Sequence, residues 1–379
     1  MVFATSLSQT YDTLVKKPSP NQSSSRRRYN FVDPRFRKHN APLPNVAILI
    51  YYSEKEARDQ YRRPLATIEC YANRERHELV IINDDKLTKL QRETCDQNHL
   101  FFRKHCLVSL LLQSRADIDW LFVLDADTGV ANPQHSLYEY IDPDVDLIFY
   151  ERFFIWEVAA GNYIVRNSEY SHDFLMRWAE MHTKLPRALN VYHSYDNGAN
   201  HLILLKTIYH DHPEVVATCT EYWFSGDFHL YIWCANHYLR LRRCSTHIRI
   251  LRRAHGWVID RHIAEDRASS AIFMHHGLKK EQTDNGTNWI LERVPSGYEC
   301  DATVKSAWPL RIGRWLSDVS MRRILAANEQ KQQRQFGLQV EPDIGECFPL
   351  CEINDNGKFL SPARLRIPNL PPPAKNLIC

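Results

Sequence analysis

A short hydrophobic run that ends in two neighbouring carboxylates constrains this chain more than any other feature. Residues 120–133 read W-L-F-V-L-D-A-D-T-G-V-A-N-P, so the apolar run stops at Asp125 and Asp127. A run of this length predicts a buried strand and is far too short to cross a membrane. Ligands of open α/β sheets bind at the carboxyl ends of the strands, where such a pair can share a hard cation. The alternative is a surface turn, because aspartate is common after strands.

Strands and helices alternate through the first half of the chain. Val46–Tyr52 and Glu78–Asn83 are apolar runs that predict two further buried strands. Helical patterns occupy the intervening residues 65–72 and 101–112. This order predicts an α/β fold with a doubly wound, mainly parallel sheet flanked by helices. Polar residues that follow the strands, such as Asp84, are expected to gather at one edge of that sheet.

The second half continues the mixture of strands and helices. Residues 146–150 and 160–165 predict two strands, and residues 170–181 predict a helix with one buried face. Asp196 opens a further helix over residues 199–209. Because an aspartate at a helix start is usually an N-cap, its position alone does not make it a site residue.

The two ends of the chain differ in composition from the region between them. Residues 1–43 are rich in serine, arginine and proline, which predicts a disordered segment. Residues 44–360 are expected to form one domain, and residues 361–379 an extended, proline-rich tail. No apolar run has the length of a signal-peptide core or a membrane-spanning helix. The formal net charge of +3 is too small to favour binding to nucleic acid or to a membrane surface.

The ten cysteines favour disulfides over a zinc site. None forms a C-x-x-C pair, and the closest two, Cys347 and Cys351, lack further ligands nearby. Two N-glycosylation sequons begin at Asn21 and Asn285, as is typical of secreted proteins. We therefore expect Cys347 and Cys351 each to form a disulfide in the secretory pathway. Free thiols in the cytoplasm are the alternative, because sequons also arise by chance.

Four segments resemble one particular protein family. Residues 101–108, 125–133, 149–167 and 193–201 are similar to a nematode family known mainly as domain of unknown function 273. The resemblance extends over residues 46–277. That family is usually placed beside the galactosyl- and mannosyl-transferases of glycosyltransferase family 34, so the resemblance implies a GT-A fold and a nucleotide-sugar donor.

The resemblance implies a metal site. In the relatives the two carboxylates hold Mn²⁺ that bridges the donor diphosphate, so Asp125 and Asp127 would bind Mn²⁺ or Mg²⁺ here. A third ligand usually comes from a histidine shortly before a glycine late in the chain. His275 and His276 both precede Gly277, and either one could serve.

The resemblance also assigns residues to the donor and to the transferred sugar. Gly161 would let the sugar approach the backbone closely. Asp196 and Asn197 stand where the relatives have an acidic residue and glutamine, so they would be the catalytic pair. The residues expected to contact the donor are Tyr52, Asp84, Arg103, Lys104, Gly161 and Lys280. The alternatives are a strand-end turn for Asp84 and a solvated helix start for Arg103 and Lys104.

These assignments predict a hexosyltransferase. It would transfer a hexose from a UDP- or GDP-sugar to a glycan or glycoprotein in the Golgi lumen, with retention as in the relatives. A catalytically silent GT-A-like domain that binds glycans or a protein is the main alternative. A metal phosphohydrolase is weaker, because such sites need more clustered ligands. Five aromatic residues are expected to pack in the core, with an acceptor platform as the alternative: Trp223, Phe224, Phe228, Tyr231 and Trp233.

Overall fold

The computed structural model describes residues 15–16, 43–53, 59–185, 196–241, 247–280, 289–301, 303, 308–341, 343–349, 351 and 364–366. The strands are β1 (Val15–Lys16), β2 (Val46–Tyr52), β3 (Glu78–Asn83), β4 (Trp120–Asp125), β5 (Gly129–Val130), β6 (Leu147–Tyr150), β7 (Tyr163–Arg166), β8 (Ile248–Leu251), β9 (Val258–Asp260), β10 (Met274–His276), β11 (Gln339–Glu341) and β12 (Arg364–Arg366). The α-helices are α1 (Arg62–Glu75), α2 (Lys89–Thr94), α3 (Leu100–Ser114), α4 (Glu169–Ala179), α5 (Met181–Lys184), α6 (Asp196–Ile208), α7 (Pro213–Phe224), α8 (Phe228–Leu241), α9 (Asp318–Phe336) and α10 (Ile344–Cys347).

The main sheet has the strand order β1-β3-β2-β4-β7-β6-β8. β3, β2 and β4 pair in parallel, as do β6 and β8, whereas β7 is antiparallel to both of its neighbours and β1 to β3. Five of the seven strands in the described part of the chain therefore point the same way. The predicted α/β fold, with a mostly parallel central sheet flanked by helices, is confirmed. The register places Tyr51 of β2 beside Asp125 of β4, so both strands end at the same edge.

Helices cover both faces of the main sheet. All seven residues of β2 are buried, and alternate residues enter two separate cores. One core contains side chains of α3, α4 and α6–α8, and the other contains side chains of α1 and α9. A strand covered on both faces reads as a continuous apolar run, which is why the sequence revealed β2 and β4 so directly.

A second, three-stranded sheet extends the fold beyond the edge where β4 ends. Its order is β5-β10-β9, and β5 follows Asp127 by one residue. β10 pairs antiparallel with β5 and parallel with β9, which sets His275 beside Gly129 and His276 beside Asp260. This sheet therefore brings the late part of the chain against the loop that follows β4.

Several predicted elements have different bounds in the structure. The strand predicted over residues 160–165 begins at Tyr163, and the backbone N–H of Ala160 donates to the side chain of Asn197 instead of to a neighbouring strand. The helix predicted over residues 170–181 spans Glu169–Ala179, and Met181 starts the short α5. Of the five aromatic residues, Trp223, Tyr231 and Trp233 are buried and Phe228 is packed against the same core. Phe224 is 65% exposed, so the core explanation accounts for four of the five.

The described residues contain four disulfides. They join Cys70 to Cys300, Cys95 to Cys106, Cys219 to Cys234, and Cys347 to Cys351. Cys347 and Cys351 are thus both oxidised, and their partner is each other. Cys244, Cys379 and both sequon asparagines lie outside the described residues.

Both terminal segments of the chain contribute a short strand. β1 lies within residues 1–43 and pairs with β3, and β12 lies within residues 361–379 and pairs with β11. The rest of those two segments lies outside the described residues, apart from Leu43. No helix in the described ranges is both long and apolar enough to cross a membrane.

Candidate metal and sugar site

The Asp125 carboxylate packs directly against Gly161, in the segment that precedes β7. A Cβ atom added to Gly161 would lie 1.6 Å from Oδ2 of Asp125, which no real structure tolerates. The space above Gly161 is therefore taken by the Asp125 side chain, and the close approach of a sugar to this glycine stays a prediction. Glycine is required here because the strand-end carboxylate lies directly on its backbone.

Asn162 fixes the start of the acidic loop. Its side-chain Oδ1 accepts hydrogen bonds from the backbone N–H of Asp125 and from the hydroxyl of Thr128, both at 3.0 Å. Asn162 is buried, so these bonds are shielded from water. The loop that carries both aspartates is thus held from the β7 side as well as by β4.

Asp125, Asp127 and His276 form the group that could share a metal ion within the described residues. One ligand atom from each lies within 4.8 Å of the others. Nε2 of His276 is 3.3 Å from Oδ1 of Asp127 and 3.7 Å from Oδ2 of Asp125. His275 is fully buried next to it and is not in this group, because successive side chains of a strand point to opposite faces. The structure therefore brings His276, and not His275, to the two carboxylates.

The other ring nitrogen of His276 faces a buried carboxylate. Nδ1 is 2.9 Å from Oδ1 of Asp260, at the end of β9. Burial alone would lower the pKa of His276, but Asp127 and Asp260 outweigh burial and raise it to about 10. Burial would likewise raise the pKa of Asp127, but His276 lowers it overall. Without a cation the site is thus held together by an imidazolium between carboxylates, and a cation at Nε2 must displace that proton.

This donor set suits a divalent cation. Two carboxylates and one neutral imidazole satisfy only part of an octahedral shell, so positions remain for diphosphate or water oxygens. A carboxylate on the second nitrogen of a histidine ligand is the usual arrangement in metalloproteins, because it fixes the tautomer and the ring orientation. The residues therefore fit Mn²⁺ or Mg²⁺.

A buried lysine joins the two acidic parts of the site. Lys104, whose side chain is only 3% exposed, lies 3.3 Å from Asp125 and 4.0 Å from Asp196. Lys104 is buried and does not lie at a solvated helix start, and its contact with the donor stays a prediction. Burial raises the pKa of Asp196 to about 6, and the charge of Lys104 only partly opposes this. Asp196 lies in the same acidic cluster as Asp125, as predicted.

The first turn of α6 is fastened to the segment before β7. Oδ1 of Asn197 accepts a hydrogen bond from the backbone N–H of Ala160 at 3.3 Å. The backbone carbonyl oxygen of Asn197 lies 2.8 Å from Nδ1 of His201. Nε2 of His201 accepts from the backbone N–H of Val158, consistent with a neutral ring whose pKa is lowered by burial to about 4. Asn197 thus positions the backbone beside Gly161, and its catalytic role stays a prediction.

Asp84, at the end of β3, is enclosed by its own neighbours. Arg103 donates to both of its oxygens at 2.9 and 2.8 Å, and the Tyr51 hydroxyl donates at 2.5 Å. The remaining Arg103 nitrogens donate to the carbonyls of Cys95 and Gln97. Arg103 therefore holds Asp84 and the α2–α3 connection together, and contact with a donor phosphate would require these bonds to break.

Two of the predicted donor contacts lie apart from the acidic cluster. Tyr52 is buried in the core on the α1 face of the sheet, and Tyr51 is the residue that reaches Asp84. Lys280 pairs at the surface with Asp59, at 2.5 Å. Lys279 is electrostatically closer to the site, because its charge contributes to lowering the pKa of Asp127, after the larger effects of burial and His276.

Three residues in this region have no counterpart in the sequence-based predictions: Asn162 and Asp260 at the acidic cluster, and Tyr51 beside Asp84. Asp260 ends the short apolar run of β9, so the rule that identified Asp125 could have identified it. Asn162 and Tyr51 gave no such signal, because their roles depend on the pairing of β7 with β4 and on the position of α3.

Comparison with known proteins assigns the chain to a family. The profile of a family described as "Protein of unknown function, DUF273" matches residues 68–292, more than half of the chain. The chain belongs to this family. The matched region includes the whole acidic cluster, from Lys104 to His276. No curated protein sequence matches the chain at a significant level.

Two solved structures are similar to the DUF273 chain at low levels. One is a crystal structure of a glycosyltransferase involved in the glycosylation of the major capsid of PBCV-1, at 14% identity and a TM-score of 0.37. That match covers 62% of this chain and 93% of the other. The second is A197 from STIV, at 12% identity and a TM-score of 0.24, covering 41% and 76%. At these TM-scores neither match supports a function for this chain.

Proposed function

We propose that this DUF273 chain is a metal-dependent hexosyltransferase with a GT-A-like arrangement. It would take a nucleoside-diphosphate hexose, such as a UDP- or GDP-sugar, and transfer the sugar to a glycan or glycoprotein. The observation that carries the proposal is the three-residue cluster of Asp125, Asp127 and His276 at the carboxyl edge of the main sheet. Its incomplete ligand shell suits a cation that is shared with a diphosphate.

Charge is the central problem of this reaction. A nucleoside diphosphate gains negative charge as the bond to the sugar breaks, and a bound divalent cation supplies the stabilisation. Asp125, Asp127 and Nε2 of His276 would hold that cation. Lys279 is better placed than Lys280 to meet the diphosphate, since its charge already acts on Asp127. A lysine at that position adds stabilisation where charge develops.

Asp196 is the group we assign to the sugar side of the site. Lys104 lies between it and Asp125, which lets the two carboxylates remain close together. The carboxylate of Asp196 would orient sugar hydroxyls or stabilise positive charge at the anomeric carbon. We propose retention of configuration, as the resemblance to family 34 implies, and the anomeric form of the product by NMR tests it.

The disulfides support an oxidising compartment as the place of this activity. Four disulfides within the described residues are characteristic of an oxidising environment. We therefore propose that the enzyme works in the secretory pathway, in the Golgi lumen. Alkylation of the native protein without reductant, followed by mass spectrometry, should leave these eight cysteines unmodified.

Calorimetric titration with UDP- and GDP-hexoses, with and without Mn²⁺, tests the function directly. Binding should require Mn²⁺, and metal and nucleotide should strengthen each other's binding. Asp127→Asn should abolish this metal-linked affinity and donor hydrolysis. Asp142→Asn is the matched control, because Asp142 is also buried but pairs with Arg249 away from the cluster. A wild type without metal-linked nucleotide affinity would favour the catalytically silent alternative.

A further inference from the structure

A chain of buried ionic contacts leads away from His276. Asp260 faces Nδ1 of His276 with Oδ1, and the guanidinium of Arg152 donates to Oδ1 and Oδ2 of Asp260 at 2.8 and 3.1 Å. Arg152 also donates to Glu157 at 2.9 Å. These contacts make one continuous series from a candidate metal ligand to the loop of residues 151–158.

That loop has an unusual backbone that many contacts hold in place. Ile155 and Trp156 both have positive φ angles, 46° and 59°, which cost free energy for any residue with a side chain and most for a β-branched one. Arg152 and Glu157 are joined by a backbone hydrogen bond as well as by their side chains. The backbone N–H of Ile155 donates to Gln332 of α9. Such strain persists only where the surroundings over-determine it.

We propose that Asp260 and Arg152 are positioning residues, which fix the metal-binding nitrogen of His276 and couple it to the 151–158 loop. The inference rests on the proposed metal site. Neither residue would touch the cation. Asp260 would keep the imidazole proton on Nδ1, so that Nε2 is left for the metal. Arg152 would orient Asp260 through a two-pronged contact that a lysine cannot reproduce.

The direction in which cation affinity changes when Arg152 is replaced separates this proposal from an effect of charge alone. Arg152 is a positive charge near a site for a cation, so its removal should strengthen cation binding if only charge matters. If Arg152 acts through Asp260 and His276, its removal should weaken cation binding instead. Outer-shell residues of this kind typically change metal affinity by about 10- to 100-fold.

The experiment measures Mn²⁺ affinity by electron paramagnetic resonance, with Mn²⁺ alone, for the full chain and three variants. Arg152→Gln should weaken binding about tenfold. Arg152→Lys keeps the charge and should still weaken binding, by a smaller factor. Arg249→Gln is the control, because Arg249 is equally exposed and also pairs with an aspartate, Asp142, outside the cluster. Its Mn²⁺ affinity should equal that of the wild type.

Each outcome decides the proposal. Tighter Mn²⁺ binding by Arg152→Gln, with Arg152→Lys unchanged, would overturn the positioning role and leave the metal site intact. If Arg152→Gln does not fold, Arg152→Lys alone decides, since charge arguments predict no change for it. A wild type that binds no Mn²⁺ would overturn both this inference and the metal dependence of the proposed function.

Discussion

The two strand-end carboxylates of the main sheet, Asp84 after β3 and Asp125 at the end of β4, differ in how fully the protein satisfies them. Asp84 receives three hydrogen bonds from Arg103 and Tyr51, all at 2.9 Å or less. Asp125 has its nearest charged neighbours at 3.3 Å and 3.7 Å, in Lys104 and His276. The first is a closed ion pair, and the second belongs to a cluster that an added cation would complete.

This difference shows when an aspartate at a strand end indicates a binding site. Position at the ligand-binding edge is common to both residues, so position alone does not identify a site. The discriminating feature is whether neighbouring donors already neutralise the carboxylate. By that measure Asp84 belongs to the framework and Asp125 to the site.

The largest effect is expected from Gly161→Ala. The new methyl group would occupy the position of the Asp125 carboxylate, so Asp125 must move. Mn²⁺ affinity should fall more than about 100-fold, because a displaced ligand should cost more than the roughly 10- to 100-fold typical of an outer-shell residue. Gly345→Ala is the control, since a Cβ there meets only the side chain of Asp343 at 3.1 Å and Ala326. Unchanged Mn²⁺ affinity in Gly161→Ala would mean that Asp125 is not a ligand.

Arg103→Met should break the closed pair and leave the open cluster intact. It removes both charge-assisted hydrogen bonds to Asp84, whose carboxylate is largely buried. We expect the free energy of unfolding in urea to fall by about 2–3 kcal/mol, because an uncompensated charge remains in the fold. Mn²⁺ affinity should stay within about twofold of the wild type. The opposite result, normal stability with lost nucleotide affinity, would return Arg103 to the donor-binding set.

Asp196→Asn tests how much the ionised carboxylate of Asp196 lowers the free energy of unfolding. Because burial raises the pKa of Asp196 to about 6, its ionised form destabilises the fold, and this cost is present above that pH. Without metal, the variant should therefore be more stable than the wild type near pH 8, by about 1–3 kcal/mol. The difference should shrink as pH falls through about 6 and vanish near the unfolded value of about 4. A variant that is less stable at every pH would make Asp196 a helix cap only.

The long elements could be predicted from the sequence, whereas the small sheet could not. β2 and β4 are covered on both faces and contain continuous apolar runs of seven and five residues, and β3 contains a run of four between Glu78 and Asn83. β5, β9 and β10 have two or three residues each, too few to show any periodicity. The choice between His275 and His276 depends on that sheet, because pairing decides which side chain faces Asp127.

The burial of charged side chains could not be predicted from the sequence either. Lys104 follows Arg103 at the start of a helix, a position that suggests solvent. Its role as the cation between Asp125 and Asp196 depends on tertiary contacts that bring α3 to α6. Arg152 and Asp260, separated by more than a hundred residues, meet only because β6 and the small sheet end at the same edge.

The last effect concerns pH, and it separates the metal cluster of Asp125, Asp127 and His276 from the ion pair of Asp84 and Arg103. In the metal-free protein, Asp127 and Asp260 outweigh burial and raise the pKa of His276 to about 10, so Nε2 carries a proton at neutral pH. That ion pair stabilises the fold fully below the unfolded pKa of about 6.5, and its contribution is lost as pH rises through about 10.

A cation must displace the proton on Nε2, so Mn²⁺ affinity should rise about tenfold per pH unit between about pH 7 and 8.5. Titration by electron paramagnetic resonance at each pH measures this slope, and His276→Gln should remove it. Mn²⁺ affinity that is independent of pH in the wild type would exclude His276 as a ligand.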